Sequence, residues 1–120
     1  MALTVDHVLA VVAVSEVETS AAWYERLFGV EPTNIPMPGI LVEWRVTGNG
    51  WVQVTEDRER FGSSQLNLAV DDLDEKLREI EARGIIVGDI IEANKGVRLC
   101  SLYDPDGNVV TLIGGFRERY

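Results

Sequence analysis

Val14-Ser-Glu-Val-Glu-Thr-Ser20 and Val70-Asp-Asp-Leu-Asp-Glu-Lys76 are the two stretches that decide the fold. Each closes a short apolar run and opens a helix. Ahead of the first lies Val8-Leu-Ala-Val-Val-Ala-Val14, rich in β-branched residues and too short for a typical helix. It reads as a strand covered on both faces. Ser15 to Ser20 offers capping side chains and early acidic residues. Ala21, Tyr24 and Leu27 then recur at helical spacing, and Gly29 stands where a helix ends. Leu66–Val70 is a second short strand. Asp71 and Asp72 supply its helix cap, with Glu75 three residues after Asp72. Leu73, Leu77 and Ile80 form the stripe, and Gly84 ends it.

Working outward, Pro32, Pro36, Pro38 and Gly39 mark an irregular passage. Ile40–Val46 and Trp51–Thr55 alternate as strands do, with Gly48-Asn49-Gly50 as the hairpin turn. Glu56–Ser64 is a polar connector. Gly84–Val87, Gly96–Tyr103 and Asn108–Ile113 read as three more strands, the last two joined by the turn Asp104-Pro-Asp-Gly107. Both halves thus read strand–helix–strand–strand–strand, a twofold internal repeat. The expected fold is α+β, one domain over 1–120 with modules 1–60 and 61–120. Each half-sheet has one face under its helix and one face free, and two of them side by side make an open cup.

Composition narrows the function. Hydrophobic residues are 46% and charged residues 26%, ordinary for a globular chain and too apolar for disorder. The net charge of −9 argues against nucleic acid, which is bound by clustered positive charge, and against anionic membrane surfaces. It favours a cationic ligand or simply serves solubility. Cys100 is the only cysteine, so neither an internal disulfide nor a zinc knuckle is available. The longest apolar run is far short of a membrane span, and no signal peptide is legible, so a cytoplasmic location is expected.

Val14–Ser20, Ala22-Trp-Tyr-Glu-Arg-Leu-Phe-Gly29, Val70-Asp-Asp-Leu73 and Asp104-Pro-Asp-Gly-Asn108, in this order, resemble the vicinal oxygen chelate superfamily. That superfamily contains glyoxalase I, fosfomycin-resistance transferases, extradiol dioxygenases and bleomycin-resistance proteins. The resemblance implies paired βαβββ modules in a cup, commonly in a homodimer. Its enzymes hold a divalent metal that acts as a Lewis acid, which requires donor ligands and an open position. The positions implied for those ligands are Leu9, Gln65 and Thr111. Leucine offers no donor, and glutamine and threonine are weak neutral ones, so neither a metal nor another cofactor is expected. His7 lies two residues before Leu9 on the same strand face, ~6.6 Å away. It reads as a displaced metal ligand, a polar ligand contact, or a strand-start residue bonded to a backbone carbonyl or water.

Alternation from these positions assigns the concave face. It places Leu9, Val11 and Ala13 there with Gln65, Asn67 and Ala69, and with Leu99, Ser101, Val109, Thr111 and Ile113. A two-residue hairpin turn would put Trp44, Val46, Trp51 and Gln53 on one common face. The resemblance to the fosfomycin-resistance branch, which has an aromatic pocket residue near Trp51, turns that face inward. Glu43 and Arg45 would then be a solvated outer pair. Trp23 reads as core or dimer contact, Tyr24 as core, and Cys100 as an inert thiol pointing away from the cup. No phosphate-binding glycine loop follows a strand, and no spacing supports a nucleophilic triad. The expected function is small-molecule binding without the family's metal site, as in drug or metabolite sequestration. The ligand would be cationic or aromatic and held by Trp51, Trp44, Gln53, Gln65, Asn67, Ser101, Thr111, Leu9 and Val11. Two alternatives stay open. One is a lyase, isomerase or dioxygenase-like enzyme working in the cup. The other is an interaction domain whose cup is filled by its own side chains.

Overall fold

In the computed structural model, which describes residues 1–120, the strand–helix–strand–strand–strand order appears twice. The first half is β1 (Val8–Val14), α1 (Val17–Phe28), β2 (Asn34–Met37), β3 (Leu41–Thr47) and β4 (Gly50–Glu56). The second is β5 (Gln65–Val70), α2 (Leu73–Ala82), β6 (Ile91–Glu92), β7 (Arg98–Tyr103) and β8 (Val109–Gly114). Each half forms a four-stranded mixed sheet, ordered β1-β4-β3-β2 and β5-β8-β7-β6. The first strand of each half runs parallel to the last, and the other pairs are antiparallel. This is the expected α+β architecture. No helix is long and apolar enough to cross a membrane.

The helices form for local reasons. Gly29 takes the left-handed conformation at φ 74° and returns its N–H to the Glu25 carbonyl, which stops α1. Glu16 occupies the N-cap position of α1 without a side-chain cap, its carboxylate accepting instead from the Thr19 hydroxyl. In α2 the Asp72 carboxylate accepts from the Glu75 N–H at 3.1 Å, as the sequence suggests. Gly114 on β8 lies under the start of α2, where an added Cβ would come within 2.9 Å of the Leu73 side chain.

Apolar stripes then make one contiguous core. Val17, Trp23, Tyr24 and Leu27 pack on Val12, Val14, Val42, Trp44, Val52 and Val54, while Leu73, Leu77 and Ile80 cover Leu66, Cys100, Leu102, Val110 and Leu112. Each large side chain buried in this way contributes ~1.5–3 kcal/mol against conformational entropy.

Three expectations need correction. β1 is covered on one face only: Val12 and Val14 lie under α1, but Leu9 and Val11 remain 46% and 56% exposed. A β-branched run therefore did not signal two-sided burial here. Gly84–Val87 is not a strand. Ile85 sinks into the core directly after α2 while Ile86 is 91% exposed, and β6 takes the edge of β7 that this segment would have used. The proline passage does hold a strand, β2, with an irregular register against β3. An edge position tolerates Pro36 because its missing N–H costs no central ladder bond.

Polar contacts join the halves. The Ala13 N–H donates to the Ser64 hydroxyl at 3.1 Å, and the Asn108 amide donates to the Ala13 carbonyl at 2.8 Å. The Ser15 N–H donates to Asp106 at 2.8 Å. The Arg83 guanidinium donates to the carbonyls of Arg26 and Leu27 at the end of α1. Those carbonyls would otherwise lack partners.

Candidate functional site

Each sheet has a helix-free face, and the strand registers say which residues share it. In the first sheet Leu9, Val11 and Ala13 stand beside Trp51, Gln53 and Thr55, which stand beside Arg45, Glu43 and Leu41. In the second, Gln65, Asn67 and Ala69 stand beside Val109, Thr111 and Ile113, followed by Tyr103, Ser101 and Leu99. All but two of the positions assigned by alternation lie on these faces. Trp44 and Val46 are the exceptions, and Glu43 and Arg45 replace them.

The reason is a one-residue irregularity. Gly48 and Asn49 do form a two-residue turn, with Thr47 opposite Gly50, but Arg45 lies opposite Trp51 and Trp44 opposite Val52. An extra residue at Val46 reverses the alternation, as a β-bulge does. Trp44 consequently points under α1, 1% exposed, with its ring 5.4 Å from Phe28 and its Nε1–H donating to the Val30 carbonyl at 3.0 Å. Nothing in Arg45-Val-Thr-Gly-Asn-Gly50 announces the bulge, so the sequence reading placed Glu43 and Arg45 outside.

Trp51 is half-buried and held from two sides. Its Nε1–H donates to His7 Nδ1 at 2.9 Å, which requires the Nε2-protonated tautomer of His7. The Arg45 guanidinium lies 5.7 Å from the indole centre, within reach of a cation–π contact. His7 is thus a partner of the indole rather than of a backbone carbonyl. On the second sheet the hydroxyls of Ser101 and Thr111 are 3.0 Å apart and bond to each other. Gln65 and Asn67 are exposed.

A groove of about 480 Å³ runs between the halves, lined mainly by apolar residues such as Val8, Ala10, Phe28, Val52, Leu66 and Leu68. By parity most of these belong to the helix-facing set. Trp51, Asn67 and Ala69 border it as well, so the groove touches the open faces at those three positions.

The family's metal chemistry can be tested against the donor set. Leu9 carries no donor atom, the Thr111 hydroxyl is engaged with Ser101, and Gln65 is a neutral amide. No cluster of three or more His, Cys, Asp or Glu side chains comes together in the structure. These residues do not fit a divalent transition-metal ion, which needs imidazole, thiolate or carboxylate ligands.

Two polar features lie outside the open faces. Asp104 is buried; its carboxylate accepts from the Tyr24 hydroxyl, the Asn108 amide and the backbone N–H groups of Asp106 and Asn108. Burial first, and then the Asp104 charge and hydrogen bond, hold the Tyr24 hydroxyl well above the ordinary phenol range. Reading Asp104–Asn108 only as a turn missed this cluster. Its signal was the recurrence of carboxylate and amide groups around one proline. Cys100 points into the helix layer as expected, where burial pushes its thiol up.

Two βαβββ halves, each with a helix-free face, define a glyoxalase-type protein. The chain belongs to the Glyoxalase/Bleomycin resistance protein/Dioxygenase superfamily, whose family model matches residues 4–112. It is similar to a glyoxalase/bleomycin resistance protein from Catenulispora acidiphila, with 30% identity, a TM-score of 0.84, and 90% of this chain and 96% of that one covered. A lactoylglutathione lyase from Agrobacterium tumefaciens shares 22% identity at a TM-score of 0.75, covering 89% and 91% of the two chains. A bleomycin-binding protein solved with bleomycin shares 20% identity at a TM-score of 0.75, covering 93% and 100%. At those two identities the likeness is one of fold. Among curated proteins none matches the chain.

Proposed function

We propose that this chain is a metal-free small-molecule-binding member of its superfamily, acting in the cytoplasm as a homodimer, with the ligand held on the open sheet faces. The observation that carries the reading is the residue set on those faces. At the positions that the resemblance implies for the superfamily's metal ligands stand Leu9, Gln65 and Thr111. Around them are an accessible indole, Trp51, and neutral hydrogen-bonding groups at Gln53, Asn67 and Ser101. An aromatic anchor with a few convergent polar groups is the usual make-up of a small-molecule site. The solved bleomycin-binding protein of the same fold fits sequestration as a role.

The homodimer rests on exposure. β1 and β5 are terminal strands of their sheets, each with one edge unpaired by any strand. Leu9 and Val11 leave apolar surface on the face beside the first of them. Long apolar edge strands are covered in stable proteins, and a second copy related by a twofold axis would cover them.

A thermal-shift screen of drug-like and metabolite-like compounds tests the reading. A ligand that binds only the folded chain must raise its melting temperature, by about 2.7 kcal/mol of stabilisation at one hundred times Kd. The expected result is a set of stabilising compounds whose effect is lost in Trp51→Ala and unaffected by a chelator. Stabilisation by a transition-metal ion alone would contradict it.

A further inference from the structure

The open faces are nearly free of charge despite the acidity of the chain. Of all the strand positions that the registers place there, only Glu43 and Arg45 are ionisable at neutral pH. The twenty acidic residues that make a cationic ligand attractive therefore lie elsewhere, with this one exception. Neither Glu43 nor Arg45 has an ion-pair partner: the salt bridges involve Arg58, Arg60, Lys76 and Arg98.

The two charges are not equally prepared. Arg45 Nε–H donates to the Gly48 carbonyl of the hairpin turn at 2.7 Å, and its guanidinium lies 5.7 Å from the Trp51 ring centre. The head group is therefore aimed by a hydrogen bond and a ring contact. No protein acceptor is bonded to its terminal nitrogens. A guanidinium fixed in this way can offer two parallel N–H groups to a carboxylate at small entropic cost. Glu43 has no side-chain hydrogen bond that would hold its carboxylate in one orientation.

We infer that Arg45 is a specificity-determining residue of the open face and selects planar ligands that carry an anionic group, carboxylates foremost. The inference rests on the proposal that this face binds small molecules, and it goes further by assigning the charge of the ligand. The carboxylate takes the terminal nitrogens of Arg45, and the ring system lies alongside Trp51 towards Gln53. Glu43, one strand repeat away on the same face, disfavours a second negative charge there.

Three probes of one shape test it: naphthoate, naphthamide and naphthylmethylammonium, titrated by calorimetry into the wild-type chain, Arg45→Gln and Glu43→Gln. Arg45 is exposed, and matching melting temperatures would establish that its variant folds. The expected result is naphthoate binding about tenfold more tightly than naphthamide, a gap that narrows with added salt and closes in Arg45→Gln because naphthoate loses far more affinity than naphthamide does. Glu43→Gln should leave naphthoate bound as well or better. Equal affinity for acid and amide, or preference for the ammonium, would overturn the assignment of charge and leave small-molecule binding standing. Failure of all three probes to bind, alongside positive hits elsewhere in a compound screen, would overturn the assignment of a planar anion alone. Failure of the probes and of every compound in the screen would remove the binding reading and this inference with it.

Discussion

The Tyr24 hydroxyl, on the first helix, donates a 2.8 Å hydrogen bond to the Asp104 carboxylate, in a turn eighty residues later. Both groups are buried, and Asn108 extends the contact by donating to Asp104 and to the Ala13 carbonyl and by accepting from the Ser64 N–H. The two halves of the repeat are therefore joined by a polar cluster in which every buried side-chain donor and acceptor has a partner. Such a cluster fixes one arrangement of the halves, because shifting them would strand a carboxylate in the core.

Tyr24→Phe should lower stability by about 1.5–3 kcal/mol at neutral pH, the range for a hydrogen bond to a charged group. It should also change the alkaline limb. Folded, Tyr24 keeps its proton; unfolded, it loses it above about pH 10. Above that pH the folded state binds more protons than the unfolded state, so stability falls as pH rises, whereas below it the contribution is complete. Denaturant midpoints between about pH 8 and 12 should therefore fall less steeply for Tyr24→Phe than for the wild type. Parallel curves would contradict the cluster's role.

Asn108→Ala removes three side-chain hydrogen bonds at once, with Ala13, Ser64 and Asp104 as partners. The backbone N–H of residue 108, which also donates to Asp104, survives the change. A loss of about 3 kcal/mol or more is expected in equilibrium unfolding, larger than for Tyr24→Phe. Coupling between the two substitutions in a double-mutant cycle should be at least ~0.5 kcal/mol, since both act through Asp104.

Cys100 should be inert in the folded protein. Its thiol is buried, raised by that burial, and directed at the Gly88 carbonyl. A chromogenic disulfide reagent should label it only at the rate of unfolding, and immediately in denaturant.

Much of this architecture was legible in the chain. The helix caps at Asp72 and Gly29, the stripes through Tyr24 and Leu77, and the repeated strand order follow from local chemistry that the neighbouring residues alone decide. The misplacements share one cause: they depend on what lies across a strand. A single extra residue at Val46 moved Trp44 into the core and brought Glu43 and Arg45 onto the open face. Pairing partners, invisible in the local pattern, likewise decided that Ile91–Glu92 and not Gly84–Val87 would border β7. The His7–Trp51 bond spans 44 residues and had no local signal.

Val11→Glu tests the dimer. Val11 is 56% exposed, so a charge there should leave the fold of one chain intact. Sedimentation should show the wild type as a dimer at tens of micromolar and the variant as a monomer, because an unpaired charge is costly in an apolar interface. A wild-type monomer at that concentration would contradict the proposed assembly.

The metal assignment has a constructive test. Zinc, manganese, iron or nickel should leave the wild-type melting temperature unchanged. The triple substitution Leu9→His, Gln65→His and Thr111→Glu should make it rise with one of these ions if the mapped positions are those of a metal site. A rise of several degrees in the wild type, abolished by His7→Ala, would contradict the metal-free reading.

The claim that small molecules bind on the open faces is tested most directly by the three tryptophan indole N–H signals in a nitrogen-15 NMR titration. Trp44 is committed to the Val30 carbonyl inside the core, Trp23 is 9% exposed, and Trp51 borders the open face and the groove. As an aromatic ligand is added, the Trp51 signal should shift and saturate while those of Trp44 and Trp23 stay in place. A saturating ligand that moves Trp44 or Trp23 and leaves Trp51 fixed would contradict it.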